Sequence, residues 1–327
     1  MKNFKHTQFA HCESGVVSSL LTNYGLKISE PMVFGITSNL DFAYFPIIKI
    51  SNLPLIAYRG IPKKIIKKIE KTLGIKMHKK QYKDAIEANS ELTELVKEGK
   101  LVGLQTSVFY LPYFPADMRF HFNAHNLLVY GKKGKNYQIS DPVFEENVEC
   151  AEKDLTIARF AKGVFAPKGF LYYPENVPSS VDLTPIIKKA IHKNAKAMTT
   201  KFPYAGVKGM RTLAKKIETL QGKDERYIKN FLTHIVRMQE EIGTGGGGFR
   251  FLYAAFLQEA TNYNLDTQKL KKASELITNS GDTLRNFALK CVQSSKHPKK
   301  FNAKAVAAIL VKASEIEEEA FGILKGI

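Results

Sequence analysis

The cysteine at position 12 lies where a thiol can act as a nucleophile. Apolar residues follow it at the spacing of one buried helix face: Val16, Val17, Leu20, Leu21 and Tyr24. Gly25 then predicts the end of that helix. Cys12 is therefore expected in or just before the first turn, where unpaired N–H groups and the helix dipole favour negative charge and so favour the thiolate. The alternative is a buried, unreactive thiol.

A histidine and an aspartate are predicted to meet at the end of a β-hairpin. Residues 126–140 predict two antiparallel strands joined by a turn at 131–135. If the turn is centred on its middle residue, His125 faces Asp141 at the open end of the ladder, close enough to hydrogen-bond. Together with Cys12 they supply a nucleophile, a base and an orienting carboxylate for covalent acyl chemistry. A helix-borne cysteine, a strand-borne histidine and a following acid form a papain-like order.

Other residues compete for two roles in such a site. His121 and His11 are alternative bases, although the predicted hairpin partner of His121 lies past a proline, and His11 points elsewhere if the helix begins at Cys12. An oxyanion hole needs hydrogen-bond donors. The backbone N–H of Cys12 is one, and Gln8 is a candidate for another, although it lies closer to the cysteine than the upstream glutamine of papain-like enzymes usually does.

A glycine-rich stretch between two predicted helices is a second candidate site. It runs from Gly243 to Arg250 and includes Gly245, Gly246, Gly247 and Gly248. Exposed backbone N–H groups at a helix start, with Arg250 in the first turn, can bind phosphate or carboxylate. It is not a Walker A loop, because no Lys-Ser/Thr follows the glycines. The alternatives are close helix packing and a flexible lid.

The composition narrows the class of protein. Three cysteines without a CxxC pair argue against a disulfide framework and a zinc site, so no metal is expected. The start of the chain has no signal segment and no run can span a bilayer, so a cytoplasmic location is expected. The formal net charge of +18 fits a solvated basic surface, an anionic membrane, an acidic partner or nucleic acid. Without a nucleic-acid-binding motif, nucleic acid is not the expected partner.

The pattern of elements predicts an α+β fold in two domains. Residues 62–73 predict an amphipathic helix with a lysine-covered outer side, and 36–58 predict an irregular segment or pocket wall. After a linker, the pattern is helical only, at about 182–200, 207–220, 223–242, 249–262, 266–294 and 302–325. We therefore expect a papain-like domain over residues 1–175, with an N-terminal helix on an antiparallel sheet, and an all-α domain over residues 182–327.

With these residues in view, the chain resembles the family of butirosin biosynthesis protein H. The likeness is carried by His11-Cys12-Glu13-Ser14, Ser29-Glu30-Pro31-Met32-Val33-Phe34-Gly35, His121-Phe122-Asn123-Ala124-His125 and Ser140-Asp141-Pro142. The second domain, with its glycine-rich stretch and Tyr253-Ala254-Ala255-Phe256-Leu257, is similar to the helical domain that follows in this family.

The resemblance implies a cysteine acyltransferase of secondary metabolism, whose named relative moves an aminoacyl group from an acyl carrier protein to an aminoglycoside amine. Cys12 would carry the acyl group, His125 would move protons and Asp141 would orient His125. The partners implied are an acidic acyl carrier protein and a small-molecule acceptor. No permanently bound cofactor is expected, and the donor's phosphopantetheine is a substrate. The lysine-rich helix, or the glycine-rich stretch with Arg250 taking the pantetheine phosphate, would suit the donor.

Three classes of function remain open from the sequence. The first is acyl transfer to an amine or hydroxyl, and the second is a papain-like peptidase or amidase that uses the same three residues. The third is a basic binding module without catalysis, in which Cys12 would show no selective alkylation at neutral pH. Homo-oligomerisation is also possible on the sequence alone.

Overall fold

The computed structural model describes residues 4–50, 52–242 and 245–327. The chain divides into two compact units. The first comprises residues 4–33 and Pro62–Val181, and the second comprises Phe34–Ile61 and Asp182–Ile327. This division differs from the predicted domains of 1–175 and 182–327 in one respect, because residues 34–61 group with the helices of the second unit.

Helices and strands are interspersed up to residue 176, and the named elements after it are all helices. In chain order they are α1 (Cys12–Asn23), α2 (Glu30–Ile36), β1 (Leu40–Ile50), β2 (Leu53–Arg59), α3 (Lys64–Leu73), β3 (Lys76–Lys80), α4 (Ala85–Lys97), β4 (Val102–Thr106), β5 (His125–Lys133), β6 (Asn136–Ser140), β7 (Val148–Ala151), α5 (Glu152–Arg159), β8 (Leu171–Asn176), α6 (Thr184–Met198), α7 (Gly206–Glu218), α8 (Glu225–Val236), α9 (Arg250–Ala260), α10 (Thr267–Lys296) and α11 (Ala303–Leu324).

A six-stranded antiparallel sheet forms the centre of the first unit. Its strand order is β3-β8-β4-β5-β6-β7. Because side chains alternate between the two faces of a strand, Leu104 and Leu127 pack on one face into a core with α4 and α5. Residues of the opposite parity, such as Asn126, lie on the face that α1 covers. This face of the sheet thereby carries Asn126 toward the N-terminal helix.

The lysine-rich helix α3 has the predicted amphipathic form. Its buried residues are those of the predicted apolar stripe: Ile65, Ile66, Ile69 and Leu73. Since the stripe recurs every three to four residues, one side of the helix is buried and the lysines Lys67 and Lys71 remain exposed.

Two predictions about strands are corrected by the structure. Residues 36–58, expected to be irregular, contain the hairpin of β1 and β2, which pair antiparallel with two register shifts. The β5–β6 hairpin has a tighter turn than expected, at Gly134 and Lys135, where Gly134 takes a φ of +59°. After a register shift between Val129 and Gly131, the ladder pairs Leu128 with Ser140, so Asp141 lies beyond the ladder rather than opposite His125.

The named elements after residue 182 are helices, as predicted, and α10 packs against α8, α9 and α11. The helix expected at 223–242 ends its α-helical part at Val236 and continues as a π-helical turn, Arg237–Glu241. The α+β class, with an N-terminal helix on an antiparallel sheet and a helical C-terminal region, is confirmed. None of the helices in the described ranges is long and apolar enough to span a membrane.

Candidate active site

Cys12 is the first residue of α1, as its spacing predicted. His11 is the N-cap, and its ring Nδ1 accepts a hydrogen bond from the backbone N–H of Ser14 at 3.4 Å. Only 5% of the Cys12 surface is exposed. A Cβ at Gly15 would lie 2.6 Å from the Cβ of Phe9, so glycine at this position lets Phe9 pack on the first turn. The thiol thus lies at a shielded helix N-terminus, where a negative charge is favoured.

The side chain after the cysteine joins α1 to α3. The buried carboxylate of Glu13 accepts backbone hydrogen bonds from Lys63, Ile65 and Ile66 at 3.0, 2.9 and 3.3 Å. These N–H groups are among the first of α3, which have no partner within the helix itself. Glu13 therefore fixes the start of α3 against the residue that bears the thiol.

A second buried carboxylate holds the segment before the cysteine. Glu30 accepts the backbone N–H groups of Ala10 and His11 at 2.9 and 2.8 Å, and the hydroxyl of Ser14 at 3.0 Å. Burial raises the pKa of the Glu30 carboxyl above its ordinary value, although these three hydrogen bonds act in the opposite direction. The sequence reasoning singled out the segments containing Glu13 and Glu30 but not this role, which places the nucleophile through backbone contacts.

His125 and Asp141 form a buried hydrogen-bonded pair. The distance from His125 Nε2 to Asp141 Oδ2 is 2.7 Å. The same carboxylate oxygen accepts the Tyr113 hydroxyl at 2.8 Å, and Oδ1 accepts the backbone N–H of Val143 at 3.0 Å. The predicted pair therefore meets, but through a loop beyond β6 rather than through the predicted strand register.

The electrostatics of the pair favour a protonated imidazole. Burial lowers the pKa of His125, but the charge and hydrogen bond of Asp141, together with the neighbouring Cys12 sulfur, outweigh it and raise the pKa to about 10. Because Nε2 is engaged by Asp141, Nδ1 is the ring nitrogen left for the sulfur. The arrangement brings the three predicted residues together and places an imidazolium beside the thiol.

The sequence reasoning missed Asn126, which contacts the sulfur. Its Nδ2 lies 3.9 Å from Cys12 Sγ and donates to the carbonyl of Ala124 at 3.1 Å. Its Oδ1 accepts the Tyr172 hydroxyl at 3.1 Å. The available signal was its position directly after the candidate base at the start of a buried strand.

The other candidates in this unit have different partners. The Gln8 amide donates to the carbonyl of Val143 at 3.0 Å, and no contact of Gln8 with Cys12 is found among the described residues. His121 is exposed and stacks on Phe109 with ring centroids 4.0 Å apart. His11 is hydrogen-bonded to Ser14. The hydrogen bond to the Asp141 carboxylate is made by His125.

The glycine-rich stretch holds groups of its own chain. The Gly247 N–H lies 3.0 and 3.2 Å from the two carboxylate oxygens of Glu240. Arg250 is fully buried, and its Nε and Nη2 donate to Glu317 at 2.8 and 3.0 Å. A Cβ at Gly248 would lie 2.4 Å from the Tyr58 ring. These contacts fit the alternative of close packing better than an open phosphate site.

The remaining parts of that stretch add little to a binding role. A Cβ at Gly246 would lie 2.5 Å from a guanidinium nitrogen of Arg285. Gly245 takes a positive φ of 58°. Gly243 and Thr244 lie outside the described residues.

In the part of the chain that the structure describes, no group of three or more His, Cys, Asp or Glu side chains is placed to hold a metal ion.

Two family models match successive parts of the chain. The model of the family "Butirosin biosynthesis protein H, N-terminal" matches residues 11–142, and that of "Domain of unknown function (DUF4872)" matches residues 153–324. The first match contains Cys12, His125 and Asp141. A search of curated proteins found no match.

Among solved structures, the chain is similar to one described as a C39-like peptidase from Bacillus anthracis. The two share 15% sequence identity and a TM-score of 0.37, over 54% of this chain and 96% of that one. Similarity at this level assigns no activity. The DUF4872 model covers more than half of the chain, so the protein belongs to that family, and its residues 11–142 match the N-terminal domain of butirosin biosynthesis protein H.

Proposed function

We propose that the protein is a cysteine acyltransferase. It takes an acyl group from the phosphopantetheine thioester of an acyl carrier protein, holds it on Cys12, and passes it to an amine or hydroxyl of a small-molecule acceptor. The observation that carries this proposal is the buried His125–Asp141 pair, 2.7 Å between Nε2 and Oδ2, beside a thiol at a helix N-terminus. A nucleophile, a proton carrier and its orienting acid are the groups that covalent acyl transfer requires.

The proposed reaction has two half-steps. The Cys12 thiolate attacks the donor carbonyl, a carbon–sulfur bond forms, and the pantetheine sulfur leaves with the proton from the His125 imidazolium. The acceptor then attacks the acyl-enzyme while His125 takes its proton, and Cys12 leaves as thiolate. Asp141 holds the imidazole in one orientation throughout.

A cysteine nucleophile suits a thioester donor. Exchange between two thioesters is nearly neutral in free energy, which suits a carrier-bound donor. A papain-like peptidase or amidase would use the same three residues, and the acceptor distinguishes the two reactions.

Positive charge supports an acidic donor protein. The formal net charge is +18, and Lys67 and Lys71 are exposed one helical turn apart on α3. Burial lowers the pKa of Lys63 to about 8, and the charges of Lys67 and Lys168 act in the same direction, against that of Glu13. Complementary charge of this kind speeds the encounter with an acidic partner.

A cytoplasmic location is also part of the proposal. It is supported by the three free thiols, Cys12, Cys150 and Cys291, since free cysteines persist in reducing compartments.

Intact mass spectrometry tests the function directly. After incubation with an acyl-carrier thioester, we expect the protein to gain the mass of one acyl group, and to transfer it when an amine acceptor is added. Cys12→Ala should form no adduct, whereas Cys150→Ala should react normally, because burial raises the pKa of the Cys150 thiol and keeps it unreactive. Cleavage of peptides with no adduct from any thioester would contradict transfer and support the hydrolase.

A further inference from the structure

We propose that the side-chain amide of Asn126 is an oxyanion-hole donor for acyl chemistry at Cys12, and that Tyr172 and Gly103 hold it in position. The identification of Cys12 as the nucleophile rests on the proposed function. The sequence offered Gln8 as the side-chain donor of the oxyanion hole. In the structure the Gln8 amide donates to the carbonyl of Val143 instead.

The Asn126 amide is placed at the sulfur. Asn126 is 2% exposed, and its Nδ2 lies 3.9 Å from Cys12 Sγ. An amide nitrogen carries two hydrogens. One hydrogen is donated to the Ala124 carbonyl, with a nitrogen–oxygen distance of 3.1 Å. The other hydrogen can be donated to the sulfur or to an acyl group bonded to it.

The Tyr172 hydroxyl fixes which end of the amide faces Cys12. It donates to Asn126 Oδ1 at 3.1 Å. Burial, with the nearby charges of Glu13 and Cys12, holds the pKa of Tyr172 well above its ordinary value, so the hydroxyl keeps its proton to donate. A flipped amide would turn its oxygen toward two acceptors, the Ala124 carbonyl and the sulfur, and would lose the Tyr172 hydrogen bond. The NH₂ group therefore faces the reacting atom.

Gly103 makes the position of the Tyr172 ring possible. The two residues pair on neighbouring strands β4 and β8, while Asn126 lies on β5 at the other side of β4. A Cβ at Gly103 would lie 2.5 Å from two ring carbons of Tyr172. Because Gly103 has no side chain, the Tyr172 ring can lie across β4 and reach Asn126. A close approach of this kind is a common reason for a glycine within a strand.

The chemistry needs a donor at this place. When the thiolate attacks an acyl carbonyl, the new carbon–sulfur bond forms and the carbonyl π pair moves to oxygen, which becomes negatively charged one carbon away from Sγ. The Asn126 amide and the backbone N–H of Cys12 stabilise that charge until the carbonyl re-forms and the leaving group departs. Removal of one such donor typically costs about 10²–10³-fold in rate.

Two reactions of the same thiol separate this role from a structural one. Acylation by a p-nitrophenyl ester passes through an oxyanion, whereas alkylation by iodoacetamide displaces iodide at a saturated carbon and forms none. In Asn126→Ala we expect acylation to slow about 10²–10³-fold while alkylation stays within about threefold of the wild-type rate. Tyr172→Phe and Gly103→Ala should show the same selective loss to a smaller extent.

Matched variants and controls complete the test. Asn123→Ala removes another buried asparagine of the same segment, whose amide serves the carbonyls of Lys162 and Val164, and should leave both rates unchanged. Unchanged acylation in Asn126→Ala would overturn the proposal, as would equal loss in both reactions across the Asn126 and Tyr172 variants. Selective loss in Gln8→Ala would assign the donor to Gln8 instead. Because the ester replaces the carrier, failure of the carrier-bound donor would count against the proposed function alone.

Discussion

Two regions of this protein looked alike from the sequence, because each combines a helix start with groups that favour a bound anion. In the structure they differ in how their polar groups are used. Arg250 in the second unit is fully buried, and Glu317, which pairs with it, also accepts the Ser280 hydroxyl at 2.6 Å. At Cys12, in contrast, the carboxylates of Glu13 and Glu30 accept hydrogen bonds from backbone N–H groups. The His125 imidazole and the Asn126 amide both lie beside the thiol.

The difference shows how to separate a structural charge cluster from a reactive one. In the glycine-rich region the buried charges of Arg250 and Glu317 neutralise each other within the same chain. In the cysteine region the carboxylates of Glu13 and Glu30 accept hydrogen bonds from the backbone. The Asn126 amide nitrogen lies 3.9 Å from the sulfur and has a hydrogen that a ligand can accept. The cysteine region differs because it keeps a hydrogen-bond donor beside its sulfur, whereas the buried charges of the glycine-rich region are paired with each other.

The largest effect is expected from Asp141→Asn. Loss of the carboxylate charge removes the main contribution that raises the pKa of His125 to about 10, so the imidazolium form is lost at a lower pH. We expect acyl transfer at neutral pH to slow by about 10²–10⁴-fold. In the wild type the rate should fall only as the pH rises through about 10, and in the variant the fall should begin nearer the ordinary histidine value. A pH–rate profile that is the same in both proteins would contradict this role of Asp141.

The corresponding change in the second unit should alter stability instead. Glu317→Gln leaves the Arg250 guanidinium buried without its charge partner, which typically costs about 3–5 kcal/mol in the free energy of unfolding. Denaturant titration measures the loss, and Arg250→Met/Glu317→Leu, which removes both charges, should recover most of it. Normal stability with weaker donor binding would instead restore the anion-binding role expected for this region.

The smallest effect is expected at the basic surface of α3. Charge reversal in Lys67→Glu/Lys71→Glu should slow transfer from a carrier-bound donor by roughly three- to tenfold, because exposed charge pairs contribute about 0.2–1 kcal/mol each. Transfer from a free pantetheine thioester should not change. Lys271→Glu/Lys272→Glu makes the same change in net charge elsewhere and is the control. A deficit that persists unchanged at high salt would argue against an electrostatic docking role.

Local pattern was sufficient to predict much of the fold. The apolar spacing after Cys12, the stripe of α3 and the helices beyond residue 182 are signals that depend only on neighbours in the chain, and the structure confirms the elements they indicate. The β1–β2 hairpin was missed because its strands contain Pro46 and two register shifts, which obscure the alternation expected of strands.

The site was harder to predict where it depends on contacts between distant residues. The contact between His125 and Asp141 was expected, but the register used to predict it differs from the observed one, in which the turn lies at Gly134 and Lys135. The partners of Glu13 lie about fifty residues away on α3, and Asn126 acquires its orientation from Tyr172, across a strand. No local periodicity encodes such contacts. Arg250 is a further example, because the glycine-rich motif around it does not reveal that Glu317 pairs with it.

The low exposure of the Cys12 sulfur has a consequence for the lifetime of the protein. Thiolates are oxidised to sulfenic acid by peroxide, and the rate follows thiolate character and access. The side chains around this sulfur keep oxidants away for the same steric reason that they keep water away. An enzyme waiting for its donor would be protected from inactivation, and damage would accumulate mainly during turnover, when the surroundings of the sulfur open to admit a substrate.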